Sequence, residues 1–469
     1  MKTLTPFLLL AATLPLLALA QDEDAPLPWR QSNLTFVASA FTADQALASS
    51  NTSLLARRGL LADQKAKTIR LWAEATGLES ARETEFFLIS EASGHDYEAL
   101  AVSFAKPGDV REALLFLGLP PGRPVDAGAC RFWPKGERVL VTFRWTPPSI
   151  AGEPVAVTEA AAEPLVFDKA RKGPLPAAGF VFTGSRFTPD PATPAKLALA
   201  ADLFDPHSIA SDYNDPDTIL DVPRQASKNA VYGWQFPNPD YRFAKGQLIE
   251  VTLRPERTDG SFRVRDLTLQ AAPAPITNSP PDFTLSGLKG GPLKTRDAGE
   301  ILKAFQACTN RWEDPFVAFT PDRALPLKQV RLTCALLDMA EAEAGARVEP
   351  PAEGQLFFRA FLPDDQFRDR AAWVVKPGEL NLVAAGNGAT GTVTLISESW
   401  SRDNADPDLV ITNLPVASPA ALKALLAARK RETPVMVVHA PETLTYGVMA
   451  DYAAALLPTH PTVWVFLKD

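Results

Sequence analysis

Reactive residue types are scarce in this chain, which has 3 cysteines and 4 histidines in 469 residues. Three cysteines are too few for a disulfide framework at this length. Cys130, Cys308 and Cys334 also lack the paired spacing of a zinc site. The histidines, at 95, 207, 439 and 460, belong to no H-E-x-x-H pattern. A G-x-S-x-G elbow, a P-loop and a G-x-G-x-x-G run are missing too. The expectation is a chain with no catalytic set and no cofactor.

Positive charge is also short. The formal net charge is −8, and the one basic cluster, "AARKRE" (Ala427 to Glu432), is brief. Nucleic-acid binding needs a basic surface, so no nucleic-acid partner is expected. The cluster fits the last turn of a helix, where the dipole favours cations. Long apolar runs are absent beyond the N-terminus, so no later segment is expected to span a membrane.

The N-terminus itself is informative. "MKTLTPFLLLAATLPLLALAQDED" has one basic residue, an apolar run from Phe7, and Ala18-Leu19-Ala20 before a polar segment. That is the pattern of a secretory signal peptide, here residues 1–20. No cysteine follows the run, which argues against a lipoprotein anchor. The expectation is a periplasmic or secreted chain. In such a compartment Cys308 and Cys334, on neighbouring predicted helices, leave two readings: one bridge or two buried thiols.

Proline is abundant, with 43 residues, about 9% against an average near 5%. Proline is kept out of helix interiors and central strands, so short elements and stiff connections follow. "AAPAPITNSPP" (Ala271 to Pro281) has no periodicity and marks the main linker, 271–282. Before it, "KTIRLWAEA", "ETEFFLISE" and "ERVLVTFRW" read as strands, the last alternating Val139, Val141, Phe143 and Trp145 on one face. "KPGDVREALLFLGL" reads as a helix, with Asp109 as cap and Gly118 as stop. After the linker comes an internal repeat. "LKAFQACTNRWEDPFVAFTPDRALPL" from Leu302 and "LKALLAARKRETPVMVVHAPETLTYG" from Leu422 align at an offset of 119 to 120 residues. Each reads as helix, buried strand, turn, helix, with Ser418 and Pro419 a clear start signal in the second copy. The strands "GQLFFRAFL" (354–362) and "TVWVFL" (462–467) are expected to close the two units. The fold class is then α+β: a β-rich N-terminal domain followed by two tandem small α/β units. The boundaries are an N-terminal segment 21–64, a β-rich domain 65–270, and units 283–375 and 376–469.

Two family resemblances follow from these stretches. Tyr97-Glu98-Ala99-Leu100, Ala113-Leu114, Leu117-Gly118, Pro121-Gly122, "SDYNDPDTILDVP" and "VTLRPE" make residues 65–256 resemble the YdjY family of secreted bacterial proteins. That resemblance implies a domain and no activity. "PVMVVHAPETLTYGVMADYAAALL" makes the second half similar to the periplasmic domain of ExbD/TolR biopolymer-transport proteins. It implies dimerisation and engagement of an envelope protein or peptidoglycan. No transmembrane helix precedes either copy, which argues against proton-driven transduction.

Two acidic stretches are the candidate sites. "SEASGHDYEALAVSF" (Ser90 to Phe104) carries His95 and Glu98, three apart, the spacing that joins two ligands on a helix. Here the stretch reads as a Ser93-Gly94 hairpin, where positions three apart face opposite ways. "DYNDPDTILD" offers Asp212, Asn214, Asp217 and Asp221 as hard oxygen ligands for calcium, but lacks the glycine and final glutamate of an EF-hand loop. Asx-turns explain it equally well. His439 in "HAPE" follows a buried strand, yet the first copy has "TPDR" there. The leading expectation is a non-catalytic binding protein of the bacterial envelope. The alternative is a metal-binding protein or metal-dependent hydrolase that uses both acidic stretches.

Overall fold

The computed structural model describes residues 28–126, 133–147, 156–224, 226–258, 265–275, 279–308, 315–344, 346–349, 356–358, 378–399, 408–428, 435–460 and 462–468. The expected signal peptide and Cys130 lie outside the described residues.

The N-terminal half is a closed barrel of eight strands. They are β1 (Thr68–Ala75), β2 (Phe86–Ser90), β3 (Ala99–Ser103), β4 (Arg138–Trp145), β5 (Phe180–Phe182), β6 (Ser208–Ser211), β7 (Leu220–Asp221) and β8 (Leu248–Pro255). Around the ring the order is β1-β8-β4-β5-β7-β6-β2-β3, and β3 pairs back onto β1 through Ala73 opposite Ser103. Closure removes the sheet edges. The longer strands alternate as a barrel wall requires: Ile69, Leu71, Ala73 and Ala75 are buried on β1, and Val139, Val141, Phe143 and Trp145 on β4. Burying side chains such as Phe143, Phe180 and Phe182 stabilises the barrel by roughly 1.5–3 kcal/mol each.

Two helices cover the wall. Helix α1 (Pro28–Ser49) lies on the outward residues of β1. Asn33 Nδ2 donates to Glu74 Oε2 (2.6 Å), Arg70 reaches Asp44 (2.8 Å), and Phe36 meets Trp72 edge-on at 4.8 Å. Helix α2 (Pro107–Phe116) buries Val110, Ala113 and Leu114. It is entered through Lys106 and Pro107 rather than Asp109, and Gly118 ends it with φ of 91°.

The second half holds two sheets. The first contains β9 (Arg265–Ala272), β10 (Asp282–Ser286), β11 (Leu293–Thr295), α3 (Ala298–Cys308), β12 (Pro315–Pro321), α4 (Leu327–Ala344) and β13 (Arg347–Glu349). The second contains β14 (Leu356–Phe358), β15 (Gly378–Ala385), β16 (Gly388–Ser399), β17 (Asp408–Val416), α5 (Pro419–Ala427), β18 (Val435–Pro441), α6 (Tyr446–Leu456) and β19 (Thr462–Lys468). Their orders correspond, β11-β10-β9-β12-β13 and β17-β16-β15-β18-β19, with β14 added beside β19. Ser418 Oγ accepts from Ala421 N (3.1 Å) to start α5. Buried residues of both sheets form one continuous core, from Leu267 and Phe319 to Leu380 and Val465. Trp133, just before β4, enters that same core. Lys135 Nζ stands 5.1 Å from the Phe316 ring, so the barrel docks on the first sheet.

The expected α+β class, with a β-rich domain and two tandem α/β units, is overturned. The molecule is β-rich, 37% strand and 26% helix, built on a closed barrel and several sheets. Both later sheets are mixed, because β10 and β16 run antiparallel to their neighbours. The two sheets share a core instead of each closing its own. The expected closing strand at 354–362 also falls elsewhere: Arg347–Glu349 ends the first sheet, and Leu356–Phe358 pairs with β19 of the second. Local pattern predicts a strand there but not its neighbour. Cys308 and Cys334 are both buried, and no bridge joins the two. Among the described residues, no helix is long and apolar enough to cross a membrane.

Candidate functional site

The first acidic stretch is not a hairpin. β2 and β3 run parallel, with Phe86 opposite Ala99. After a turn at Ser93 (its N donates to Ser90 O, 3.1 Å), a single 3-10 turn, Asp96–Glu98, reverses the chain again. That helical turn puts His95 and Glu98 on one face, which a strand could not do.

His95 is clamped between two carboxylates. Its Nδ1 contacts Glu98 Oε1, and its Nε2 lies 2.9 Å from Asp205 Oδ2. The Tyr97 hydroxyl is 3.2 Å from Nδ1. Asp205 also accepts from Ser93 Oγ (3.2 Å) and Gly94 N (3.3 Å), so it ties the stretch to the loop before β6.

A buried carboxylate pair lies behind this clamp. Glu85 is 1% exposed and Asp212 0%, and Asp212 N donates to Glu85 O (3.1 Å). Lys228 Nζ, on the short helix Lys228–Val231, meets Glu85 Oε2 at 2.6 Å. Gln235, oriented to satisfy both its ends, donates to Asp212 Oδ2 (3.1 Å) and accepts from Arg224 Nη2 (2.6 Å). Among the described residues, Glu85 Oε1 and Asp212 Oδ1 have no hydrogen-bond partner. Burial pushes both carboxyls up, Asp212 well above the usual range, with the Glu98 charge adding to it. Tyr213 packs edge-on against Phe86 (5.8 Å) and holds its ring 5.7 Å from Lys228 Nζ. Beside this polar interior stand exposed rings: Tyr97 (60%), Tyr232 (54%) and Trp234 (50%).

The six ligand candidates therefore divide. His95 and Glu98 come together, and Asp212 lies behind them. Asn214 is a strut, accepting from Ala226 N (2.6 Å) and donating to Asp221 Oδ1 (3.0 Å). Asp217 is held by Arg186 Nε at 2.5 Å. Asp215 Oδ1 accepts from Asp217 N (2.9 Å), an Asx-turn, and burial pushes its carboxyl up to about 6. Among the described residues, no three or more His, Cys, Asp or Glu side chains converge to hold a metal ion. His439 lies 4.0 Å from Glu379 and beside Phe466, away from both acidic stretches in the second sheet.

Sequence reasoning missed Glu85, Asp205, Arg224, Lys228 and Gln235. The one local signal was Glu85, a charged residue opening an apolar strand. The others reach the site only because β6 pairs with β2 and the 228–235 segment folds over it. A second recess, of about 280 Å³, is lined by Pro120–Arg123 and Lys135–Glu137 near the docking contact with Phe316. Comparisons with protein-family models, curated proteins and solved structures find no match to this chain.

Proposed function

We propose that this chain is an exported, non-catalytic binding protein of a bacterial envelope, and that its barrel rim takes glycan. The supporting observation is a contrast within one rim. Both His95 nitrogens face carboxylates, and Lys228 holds Glu85 Oε2. A general base or metal ligand would need a free nitrogen there. The aromatic side chains Tyr97, Tyr232 and Trp234 are instead half exposed or more. Exposed aromatic faces beside charged hydrogen-bonding groups suit sugar rings, which pair an apolar face with a hydroxyl edge. Residues 1–20 support export, and the YdjY and ExbD/TolR resemblances support an envelope setting.

The test is retention on insoluble peptidoglycan. The wild-type chain is expected to be retained, and the Tyr97→Ala/Trp234→Ala variant to bind about tenfold more weakly with an unchanged thermal midpoint. Equal retention of the two chains, or none by either, would sink this reading. Capture of an envelope protein through the same rim without glycan would reassign it to a protein partner.

A further inference from the structure

The two C-terminal sheets meet along a seam with near-perfect twofold backbone symmetry. Pro326 and Thr445, equivalent at the repeat offset of 119, bridge each other across it. Leu327 N donates to Leu444 O (2.7 Å), and the equivalent Tyr446 N donates to Leu325 O (2.8 Å). Lys328 N donates to Glu442 O (3.0 Å), and the equivalent Gly447 N donates to Arg323 O (2.7 Å). Leu325, Leu327, Leu444 and Tyr446 are buried beneath these bonds. A surface that pairs with its own equivalent about a twofold axis is the kind from which homodimers are built.

The side chains break that symmetry by charge. Arg323 and Glu442 are equivalent positions, and each reaches onto the opposite unit's second helix. Arg323 Nη2 meets Asp451 Oδ1 (2.6 Å) and Gly447 O (3.1 Å). Glu442 meets Lys328 Nζ (3.1 Å) and Arg331 Nη2 (3.7 Å). The first unit's side of the seam is basic and the second unit's side acidic. If two first units paired, each Arg323 would face Lys328 and Arg331. If two second units paired, each Glu442 would face Asp451. Both alternatives place like charges together twice.

We infer that this charge partition makes the first unit's partner the second unit of the same molecule and refuses a second copy of the chain at the seam. The chain carries an internal counterpart of a homodimer, and external partners meet it elsewhere. These pairs are partly exposed, so they add little to stability. Their role is discrimination between pairings that the apolar and backbone contacts would otherwise favour alike.

The twofold axis supplies the test, because a chain–chain pair of second units would bring Thr445 opposite Thr445. Full-length Thr445→Cys is expected to stay uncrosslinked under mild oxidation. Adding Asp451→Arg repels Arg323 within the molecule and attracts Glu442 between molecules. Crosslinked dimer is then expected to rise about tenfold. Reversing Arg323 as well, in Thr445→Cys/Asp451→Arg/Arg323→Glu, restores an attractive internal pair and is expected to return the chain to monomer. Should Asp451→Arg impair folding, Arg323→Glu with Pro326→Cys poses the same question on the first unit. Strong crosslinking of Thr445→Cys alone, or no rise on charge reversal in either variant, would overturn the inference.

Discussion

At the residue scale, the segments around the His95 site are unusual in their buried carboxyls. Glu85, Asp212, Asp215 and Asp221 are all buried, and burial pushes each of them up. A carboxyl whose folded pKa exceeds its unfolded value binds its proton more tightly in the fold. Its stabilising effect is full below about pH 4 and is lost as pH rises through the folded value. For Asp215, raised to about 6, that loss falls between about pH 4 and 6 and amounts to about 3 kcal/mol. Glu85, Asp212 and Asp221 add to the trend in the same direction. The thermal midpoint is therefore expected to rise as pH falls from 7 to 5. Asp215→Asn keeps an acceptor for Asp217 N and is expected to flatten part of that slope. A midpoint that falls on acidification to pH 5 would contradict the assignment. The spacing of His95 and Glu98 singled them out, but the hairpin reading set them on opposite faces, and the 3-10 turn brings them together. The 3-10 turn that joins them depends on Asp205, whose carboxylate accepts from Ser93 and Gly94 more than a hundred residues away in sequence.

At the element scale, the strands with clear alternation were legible, and β4 buries the four residues its pattern picks out. The short strands β6 and β7 were not, because four and two residues carry too little periodicity. Helix α1 was missed for a different reason. Its contacts are polar and aromatic, made to the outer wall of β1, and no apolar stripe announces it. What fixes its start is Trp29 lying over Gly246, whose φ is 77°. A Cβ there would stand 1.9 Å from Trp29 Cδ1. Gly246→Ala is expected to destabilise the protein by about 1–3 kcal/mol and to loosen α1. Faster proteolysis within residues 28–49 of that variant is the check. Unchanged cleavage and an unchanged midpoint would show that the helix is held by its other contacts alone.

At the scale of the whole molecule, the barrel and the two sheets are joined through a few large side chains. Trp133 leaves the barrel to sit in the C-terminal core, and Phe316 receives Lys135 and Arg123. Trp133→Ala is expected to cost about 3–5 kcal/mol. It is also expected to split the calorimetric unfolding peak into two, because it removes the apolar link between the halves. A single, merely lowered peak would place the coupling elsewhere. The repeat was legible because helix, buried strand and helix recur with the same apolar spacing. Its extension backwards to β9 and β15 was hidden: each is followed, before the helix, by two strands whose lengths differ between copies, so the two align only through equivalent sheet positions.

By itself the sequence determined the local elements with strong periodicity, the repeat and the poverty in catalytic motifs. Those properties reside in neighbouring residues and their spacing. Only the tertiary structure decided that the first half closes into a barrel, that β2 and β3 run parallel, and that Glu85, Asp205 and Lys228 join the rim. It also decided that the two repeats pair with each other. Closure, strand direction and seam pairing depend on contacts between residues far apart in the chain, which alternation and helical spacing leave open.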